Sequence, residues 1–314
     1  MLQQYAVRLA HALIVLVIVA IITFTLMRLI PGDPVLIMLG GEYSPEVYAR
    51  LKTDLGFDRS VVYQFFVWAG NFIRGDMGYS YIAHERVSKI LLDTIPVTIQ
   101  LSICSLIIAI LIGIPAGVLS ALGRNSWLDY LGMSFAIFGQ SLPSFWLGIL
   151  LIWIFGVQLS LFPTMGYVSI LQEFWKGLYY MVLPSFTLGS FYAGMIARIT
   201  RSSLIDVLDQ DYIKMARAKG VRNRDVVARH AMRNVLIPIT TITGLQLGML
   251  LAGAVMTETV FQLPGMGRLV AASILNREYQ VVQACILIIA VMFIGVNLVV
   301  DLLYTLLNPK MRHA

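Results

Sequence analysis

The densest run of positive charge in the sequence is DYIKMARAKGVRNRDVVARHAMRN, from Asp211 to Asn234. It lies between two apolar segments that are each long enough to cross a bilayer. Clustered lysine and arginine in such a position can bind a partner protein, or they can set the topology of the chain and contact anionic lipid headgroups. The chemistry that this stretch suggests is therefore recognition at the face of a membrane.

Known catalytic signatures are missing from the sequence. No G-x-x-x-x-G-K-[ST] occurs, so we expect no P-loop for ATP phosphates. His84 and Glu85 are not followed by a histidine at the metalloprotease spacing, and GYSYI at Gly78–Ile82 lacks the closing glycine of a nucleophile elbow. Cys104 and Cys285 lie inside apolar runs, where a free thiol acts as a small hydrophobic side chain. We expect no catalytic residue, no metal site and no cofactor bound by this chain.

The composition predicts an integral membrane protein. Only 13% of the 314 residues are charged, and the mean hydropathy is +0.80. Soluble domains carry about 25% charged residues. The net charge of +6 raises the alternative of nucleic-acid binding, but apolar runs of membrane length separate the cations, and the cations lack the aromatic interleaving of a stacking platform.

Several segments are long and apolar enough to cross a bilayer, which takes about 20 residues of helix. They are Leu9–Ile30, Val97–Leu122, Tyr130–Gly156, Met181–Arg198, Ile237–Val260 and Ala284–Leu307. The predicted fold class is therefore all-α, a polytopic membrane protein with about six transmembrane helices. We interpret the first segment as a retained anchor rather than a signal peptide, because no small-x-small cleavage pattern follows it.

The distribution of lysine and arginine orients these spans. An even number of spans places both termini on one side, together with the cations between residues 198 and 233, and the positive-inside rule makes that side cytoplasmic. Residues 199–236 then form a cytoplasmic loop and residues 31–96 an external segment, within a single domain of residues 1–314. In the external segment we expect a helix from Pro45 to near Gly56, and we expect Val61–Ile73 to lie against the membrane surface or the outer ends of the spans.

The cytoplasmic loop is predicted to contain two short helices. Asp211–Lys219 and Arg224–Asn234 consist of good helix formers, Gly220 interrupts them, and Asn223 is the expected N-cap of the second. A hairpin with an exposed apolar face suits docking of another protein. Topology alone would explain the cations but not the glycine break. The candidate docking residues are Asp211, Tyr212, Met215, Ala216, Arg217, Lys219, Gly220, Val221, Val226, Val227, His230 and Arg233.

Motifs along nearly the whole chain resemble those of one membrane protein family. They are RLIPGDP (Arg28–Pro34), RGDMGYS (Arg74–Ser80), SLPSFWLGILL (Ser141–Leu151), ARITRSSLIDVLDQDYIKMARAKG (Ala197–Gly220), TETVFQLPGMGRL (Thr257–Leu269) and NLVVDLLYTLLNP (Asn297–Pro309). In order and spacing they resemble the ABC importer permeases of the dipeptide/oligopeptide/nickel class. The early PGDP resembles the first permease of the pair that such systems use, and the charged loop resembles their "EAA" loop.

The loop departs from the general "EAA" pattern at two places. Lys214, Met215 and Ala216 stand where the pattern has an acidic residue and two alanines, and Met232-Arg233 stands where it has Leu-Pro. Gly220 is retained. These departures look typical of the peptide subgroup.

The resemblance implies a type I ABC importer permease fold and a division of labour among subunits. It implies a homologous second permease subunit, two ATP-binding subunits that hold ATP and magnesium and dock on the loop, and an external substrate-binding protein. It also implies a multi-pass location in the bacterial inner membrane. The chain itself would be a permease and not an enzyme. Peptides are the expected substrates, and nickel chelates, glutathione and opines are alternatives.

Polar residues within the spans are candidates for the transport pathway or its gate. Gln140 and Ser141 precede Pro143, where a broken helix exposes carbonyl groups to a cavity or forms a packed kink. Gln246 either faces the pathway or makes an interhelical hydrogen bond, since the glycines around it indicate close packing. Glu258 either meets substrate or binding protein, or lies in water at the end of its span.

Two further features concern the ends of the last spans. Pro264 and Gly265, within LPGMG, form either a gate or a simple external turn. Asp301, four residues after Asn297, is expected to pair with Arg198 or Arg201 in a structural clasp.

The alternative in another class is a secondary transporter or channel driven by an ion gradient. Such a protein is expected to carry intramembrane ionisable relays and often an internal repeat, and neither is evident in the sequence. A membrane-bound hydrolase is less favoured, because its catalytic signatures are missing.

Overall fold

The computed structural model describes residues 2–29, 44–54 and 58–307. Most of the RLIPGDP motif, residues 35–43 and the last residues of NLVVDLLYTLLNP lie outside this described part.

The N-terminal part of the chain consists of helices and one short hairpin. The elements are α1 (Leu2–Leu29), α2 (Pro45–Asp54), α3 (Val61–Ile73), β1 (Tyr79–Ser80) and β2 (Glu85–Arg86), and the two strands pair antiparallel. The expected helix after Pro45 is present. Ser60 caps α3 by accepting a hydrogen bond from the Tyr63 backbone N–H.

The remainder is helical and contains two π-helical turns. Its elements are α4 (Val87–Leu122), α5 (Trp127–Ser141), α6 (Ser144–Leu151), a π-helical turn (Ile152–Gln158), α7 (Phe174–Leu208), α8 (Asp211–Ala218), α9 (Asn223–Asp225), a second π-helical turn (Val226–Ala231), α10 (Met232–Gly253), α11 (Val255–Val260), α12 (Met266–Leu275) and α13 (Tyr279–Leu307).

The described residues contain 5 helices long and apolar enough to cross a membrane, or 6 if one bent pair forms a single span. The bent pair is Asp129–Ser141 with Ser144–Gln158. The direction of the helix changes by 101° at the break between them. The break falls at Leu142 and Pro143, where the sequence predicted a proline-dependent irregularity. The predicted all-α polytopic fold is confirmed.

Several helices are longer than the apolar segments from which they were predicted, as the second and fourth spans show. The second span begins at Val87 instead of near Val97, and the fourth covers Phe174–Leu208 instead of Met181–Arg198. Pro184 lies inside the fourth helix without ending it. A hydropathy window detects only the part of a helix that matches the hydrocarbon core, so polar extensions of the same helix are missed.

The chain divides into two compact units. One consists of residues 1–96 and 265–292, and in it the exposed helix α3 packs on α1 through Phe24, Phe65 and Trp68. Its apolar core includes Val87 and Leu91 of α4, which pack with residues of α12 and α13. One face of Val61–Ile73 thus contacts the first span near its C-terminal end, and the external position of that end stays a prediction.

The other unit, residues 97–264 and 293–314, is organised around α7. A Cβ placed on Gly113 of α4 would lie 2.7 Å from the Ala193 carbonyl oxygen, and one on Gly117 would lie 2.5 Å from that of Ala197. The residue numbers of the contacting pairs rise together on the two helices, from Gly113 with Ala193 to Gly117 with Ala197, so α4 and α7 run parallel. Glycine permits this close approach of two backbones inside a membrane.

Helix α5 packs antiparallel on another side of α7. A Cβ on Gly194 would overlap the Ala136 carbonyl oxygen, and one on Gly139 would lie 3.2 Å from the Ser190 carbonyl oxygen. From Ala136 to Gly139 the residue number rises on α5, while that of the contact on α7 falls from Gly194 to Ser190, so the two helices are antiparallel. Helix α5 is therefore fixed against α7 along much of its length.

The glycines of the fifth span serve helix packing. A Cβ on Gly244 would overlap the Val300 side chain, and one on Gly248 would lie 2.7 Å from the Phe293 ring. Both contacts join α10 to α13. The interpretation of these small residues as packing positions is confirmed.

Candidate docking loop and polar residues within the spans

The break at Gly220 is a specific helix-ending motif. Gly220 has a φ of +77°, and its N–H donates to the Arg217 carbonyl at 2.9 Å while the Val221 N–H donates to the Ala216 carbonyl at 3.3 Å. This pair of hydrogen bonds is the Schellman motif, in which glycine occupies the left-handed position after the helix. The reversal of the chain after α8 therefore depends on this glycine.

The inner face of the loop forms part of the protein core. Ile213 of α8 is 0% exposed and packs with Leu204 of α7 and Val235 of α10. Val226 is also 0% exposed and belongs to the same cluster. Val226 therefore supports the loop from inside and presents no surface to a partner, in contrast to the other predicted docking residues.

The outer face of α8 is exposed and amphipathic. Tyr212 is 40% exposed and Met215 is 60% exposed. Ala216, Val221 and Val227 are half-buried. The remaining candidate residues are exposed, namely Asp211, Arg217, Lys219, Gly220, His230 and Arg233. Apolar and cationic side chains are thus displayed together on one loop.

The two helical parts of the loop are connected to each other and to the spans. The Asn234 side-chain amide donates to the Tyr212 hydroxyl at 2.7 Å. From Asn223 the chain is helical without interruption to Gly253, through the second π-helical turn. The expected N-cap at Asn223 was wrong, because Arg222 occupies the cap position and Asn223 is already the first helical residue. The loop is therefore continuous with α10 and packed on α7.

A bidentate ion pair ties α7 to α5 close to the loop. Arg201 donates from Nε to Asp129 Oδ1 and from Nη2 to Asp129 Oδ2, both at 2.7 Å. The Asn125 backbone N–H also donates to Oδ2, at 3.1 Å. Asp301, which was expected to pair with Arg198 or Arg201, has its side chain outside the described part. The sequence contained no local signal for Asp129 as the partner, since 72 residues separate the two.

Gln140 lies at the end of α5, beside the helix break. Its Oε1 accepts a hydrogen bond of 2.5 Å from Arg198 Nη2. The neighbouring Ser141 is exposed, and its hydroxyl donates to the Ile137 carbonyl one turn earlier, at 2.9 Å. The structure thus brings one predicted pathway residue together with an arginine that was expected at the cytoplasmic end of its span.

Gln246 and Glu258 are enclosed by the chain itself. Gln246 is 1% exposed, and its amide donates to the Tyr192 carbonyl of α7 at 3.4 Å, which is the interhelical bond considered as an alternative. Glu258 is 0% exposed, and its Oε1 accepts a hydrogen bond of 2.7 Å from the Thr98 hydroxyl. The alternative that placed Glu258 in water was wrong, because the helix α11 turns it inward.

The LPGMG segment combines an exposed and a buried residue. Pro264 is exposed, whereas Gly265 is buried and caps α12 with its carbonyl, which accepts from the Leu269 N–H at 3.0 Å. The segment is therefore a turn that begins a helix. Whether it also acts as a gate stays a prediction.

Two family models match the chain. Residues 1–102 match the N-terminal region of the binding-protein-dependent transport system membrane component, and residues 113–313 match the binding-protein-dependent transport system inner membrane component. The chain belongs to this family. It is a multi-pass permease subunit of the inner membrane, in the class of ABC importers, and not an enzyme.

Relatives of this permease span its whole length. A protein of Brucella abortus named as a peptide transport system permease is 42% identical over 98% of both chains. A glutathione transport system permease of Pectobacterium atrosepticum is 41% identical over 100% of both chains. The permease class predicted from the motifs is confirmed, and the alternative of a gradient-driven carrier is set aside.

The fold of this permease is also found in a solved transporter. A chain of a methionine ABC transporter, solved in inward-facing conformations, matches with a TM-score of 0.59 and 18% sequence identity. The match covers 70% of this chain and 96% of that chain. At this level of identity the likeness concerns the fold alone, and it confirms the predicted permease architecture.

Proposed function

We propose that this permease forms half of the translocation pathway of an ATP-driven importer for short peptides. A homologous second permease subunit supplies the other half. Two ATP-binding subunits, which hold ATP and magnesium, dock on the loop of residues 199–236, and an external binding protein delivers the substrate. In this arrangement the loop and both termini are cytoplasmic, and the lipid bilayer surrounds the pair.

The proposed coupling role rests on the observation that the loop has one buried face and one exposed face. Ile213 and Val226 bury one face in the chain's own core, while Tyr212 and Met215 leave apolar surface exposed on the other. Binding of anionic lipid headgroups requires only the cations. An exposed apolar patch beside the cations therefore favours a protein partner. Rigid attachment to α7 and α10 would then transmit movement of the ATP-binding subunits to both spans.

Movement of this kind fits alternating access between two states. Binding of ATP would bring the docked subunits together and favour the outward-facing state, and hydrolysis would favour the inward-facing one. Each ligand biases the balance only through its different affinity for the two states.

Peptides are proposed as substrates because of the relatives. One set of relatives is named for peptides and the other for glutathione, and both are about equally similar to this permease. Glutathione is itself a short peptide with free carboxylates, so the two names share one substrate class. Nickel chelates and opines are the alternatives within the wider class.

Purification from the native host tests the proposal. The tagged permease would be purified in mild detergent, its stoichiometric partners identified by mass spectrometry, and the complex returned to liposomes for uptake assays. We expect a second permease, ATP-binding subunits, and uptake of peptide only with ATP and the binding protein. A permease that purifies alone and transports without ATP would overturn the proposal.

A further inference from the structure

Two arginines of α7 reach in opposite directions along α5. Arg198 and Arg201 are one helical turn apart on α7, yet Arg201 binds Asp129 at the start of α5 and Arg198 binds Gln140 at its end. The backbones of Asp129 and Gln140 are separated by about 16 Å along the helix axis, at 1.5 Å per residue. Arg198 is therefore directed away from the cytoplasmic end of α5 and into the level of the span.

The surroundings of the Arg198 side chain are open. The residue is exposed, and no carboxylate forms an ion pair with it among the side chains that the structure describes. One of its terminal nitrogens is held by Gln140 at 2.5 Å. A guanidinium group has five N–H donors, so most of them remain available for another acceptor.

The exposed face that carries Arg198 is unsuited to lipid. Charged side chains at membrane depth are costly, and in spans they face a water-filled cavity or another protein. The arginine does not turn toward the cytoplasmic surface, as a long side chain does when it avoids the hydrocarbon core. The helix break beside it, at Leu142 and Pro143, is likewise tolerated only where the backbone lines a cavity or is covered by protein.

We propose that Arg198, oriented by Gln140, binds a carboxylate of the transported substrate inside the pathway. A guanidinium group matches a carboxylate with two parallel hydrogen bonds, and a neutral amide cannot replace that interaction. The inference rests on the proposed function, because it takes peptides with a free C-terminus as the substrates. It adds to that function a recognition step by the permease itself, separate from that of the binding protein.

Uptake of alanyl-alanine and of its C-terminal amide by the assembled transporter in liposomes tests this site. The binding protein is the same in every assay, so a difference between permease variants reports on the permease. In the Arg198→Gln variant we expect uptake of the free acid to fall about tenfold relative to wild type, as for loss of a charge-assisted hydrogen bond. Uptake of the amide should stay within about twofold, because the amide does not use the site.

Two variants control for folding and for charge. Arg198→Lys should retain part of the preference for the free acid, because a point charge remains without the planar fork. Arg124→Gln removes a cation whose pair with Asp209, at 3.9 Å, is exposed on both sides, and it should leave both uptakes unchanged. Purification of each variant with its partners, together with ATP hydrolysis without substrate, establishes that the complex is assembled.

The outcomes separate the two proposals. Equal loss of acid and amide uptake in Arg198→Gln would show that the arginine is structural, and no loss would show that it does not contact substrate; either result overturns the inference. If the wild-type complex imports neither probe, the peptide function fails and the inference fails with it.

Discussion

Arg201 and Asp129 are joined by two parallel hydrogen bonds of 2.7 Å, and this pair fastens α5 to α7. The carboxylate is almost completely buried and also accepts the Asn125 backbone N–H, so most of its hydrogen-bonding capacity is used. The pair lies between the helix break near Gln140 and the first helix of the docking loop, α8. The pair therefore fixes α5 against α7 at the end where the loop begins.

Replacement of Asp129 by asparagine should destabilise the permease. The change removes the charge that faces Arg201, and loss of a hydrogen bond to a charged group costs about 2 kcal/mol. The apparent melting temperature of the purified permease in detergent would measure the effect. Arg124→Gln, which removes the exposed pair with Asp209, is the matched control and should change stability by less than about 0.5 kcal/mol. Equal melting temperatures for Asp129→Asn and wild type would contradict the structural role of the pair.

Substitution of Gly220 should act through the backbone and not through side-chain size. A Cβ at this position would meet nothing within 4 Å, but φ is +77°. Gly220→Ala is expected to cost about 1 kcal/mol, and Gly220→Asn less, because asparagine tolerates the left-handed region. Gly220→Pro removes the N–H that binds the Arg217 carbonyl and imposes an incompatible φ, so it should abolish transport while the chain still inserts.

ATP-driven uptake and co-purification of the partner subunits measure the Gly220 series. The order expected is wild type, Asn, Ala and then Pro. Normal uptake by Gly220→Pro would show that the helix-ending motif is not needed for coupling.

Exposed apolar surface on α8 should contribute to docking without supporting the fold. Met215→Asp places a charge on a side chain that is 60% exposed, so the permease should fold normally and lose the ATP-binding subunits on purification. Ile213→Asp, two residues away, buries the same charge in the core and should prevent stable folding. Retention of the partners by Met215→Asp would remove this face from the interface.

Reversal of the charges at Arg217 and Lys219 should weaken the same association in a salt-dependent manner. Both side chains are exposed on α8, where cations attract an acidic partner surface. We expect Arg217→Glu with Lys219→Glu to lower recovery of the ATP-binding subunits at low salt, and the difference from wild type to shrink at high salt because exposed charges are screened. Unchanged recovery at low salt would argue that these cations serve topology or lipid contact.

Helix glycines in contact with another backbone should respond differently from glycines with free space. Gly117→Ala introduces a Cβ 2.5 Å from the Ala197 carbonyl oxygen, so α4 and α7 must separate and the melting temperature should fall. Gly295→Ala, in α13, meets nothing within 4 Å and should stabilise the helix by about 0.5–1 kcal/mol. The same thermal measurement compares both, and equal effects would contradict the close approach of α4 and α7.

The spans and the two-helix loop were predictable because their signals are local. Apolar length identified the membrane helices, and Gly220 marked the end of α8. The orientation of α8 was harder, since Ile213 and the pair of Tyr212 and Met215 are both apolar and only the tertiary core decides which side is buried. The contact of Arg198 with Gln140 was missed because the two residues lie on different helices, 58 residues apart.

Partners that are distant in sequence were not predictable. Arg198 and Gln140 are 58 residues apart, and Thr98 and Glu258 are 160 residues apart. Hydrogen bonds of this kind depend on which helix faces are brought together, and periodicity in one segment carries no information on its neighbour. The docking residues themselves stay predictions until a partner is bound.

The two faces of α8 should be subject to different evolutionary constraints. Substitutions at Ile213 must be compensated within this chain, because its contacts are with Leu204 and Val235. If a subunit docks on the outer face as proposed, substitutions at Met215 or Lys219 would be compensated in that subunit. In related operons, the inner positions should therefore covary with residues of the same permease, and the outer positions with residues of its ATP-binding partner.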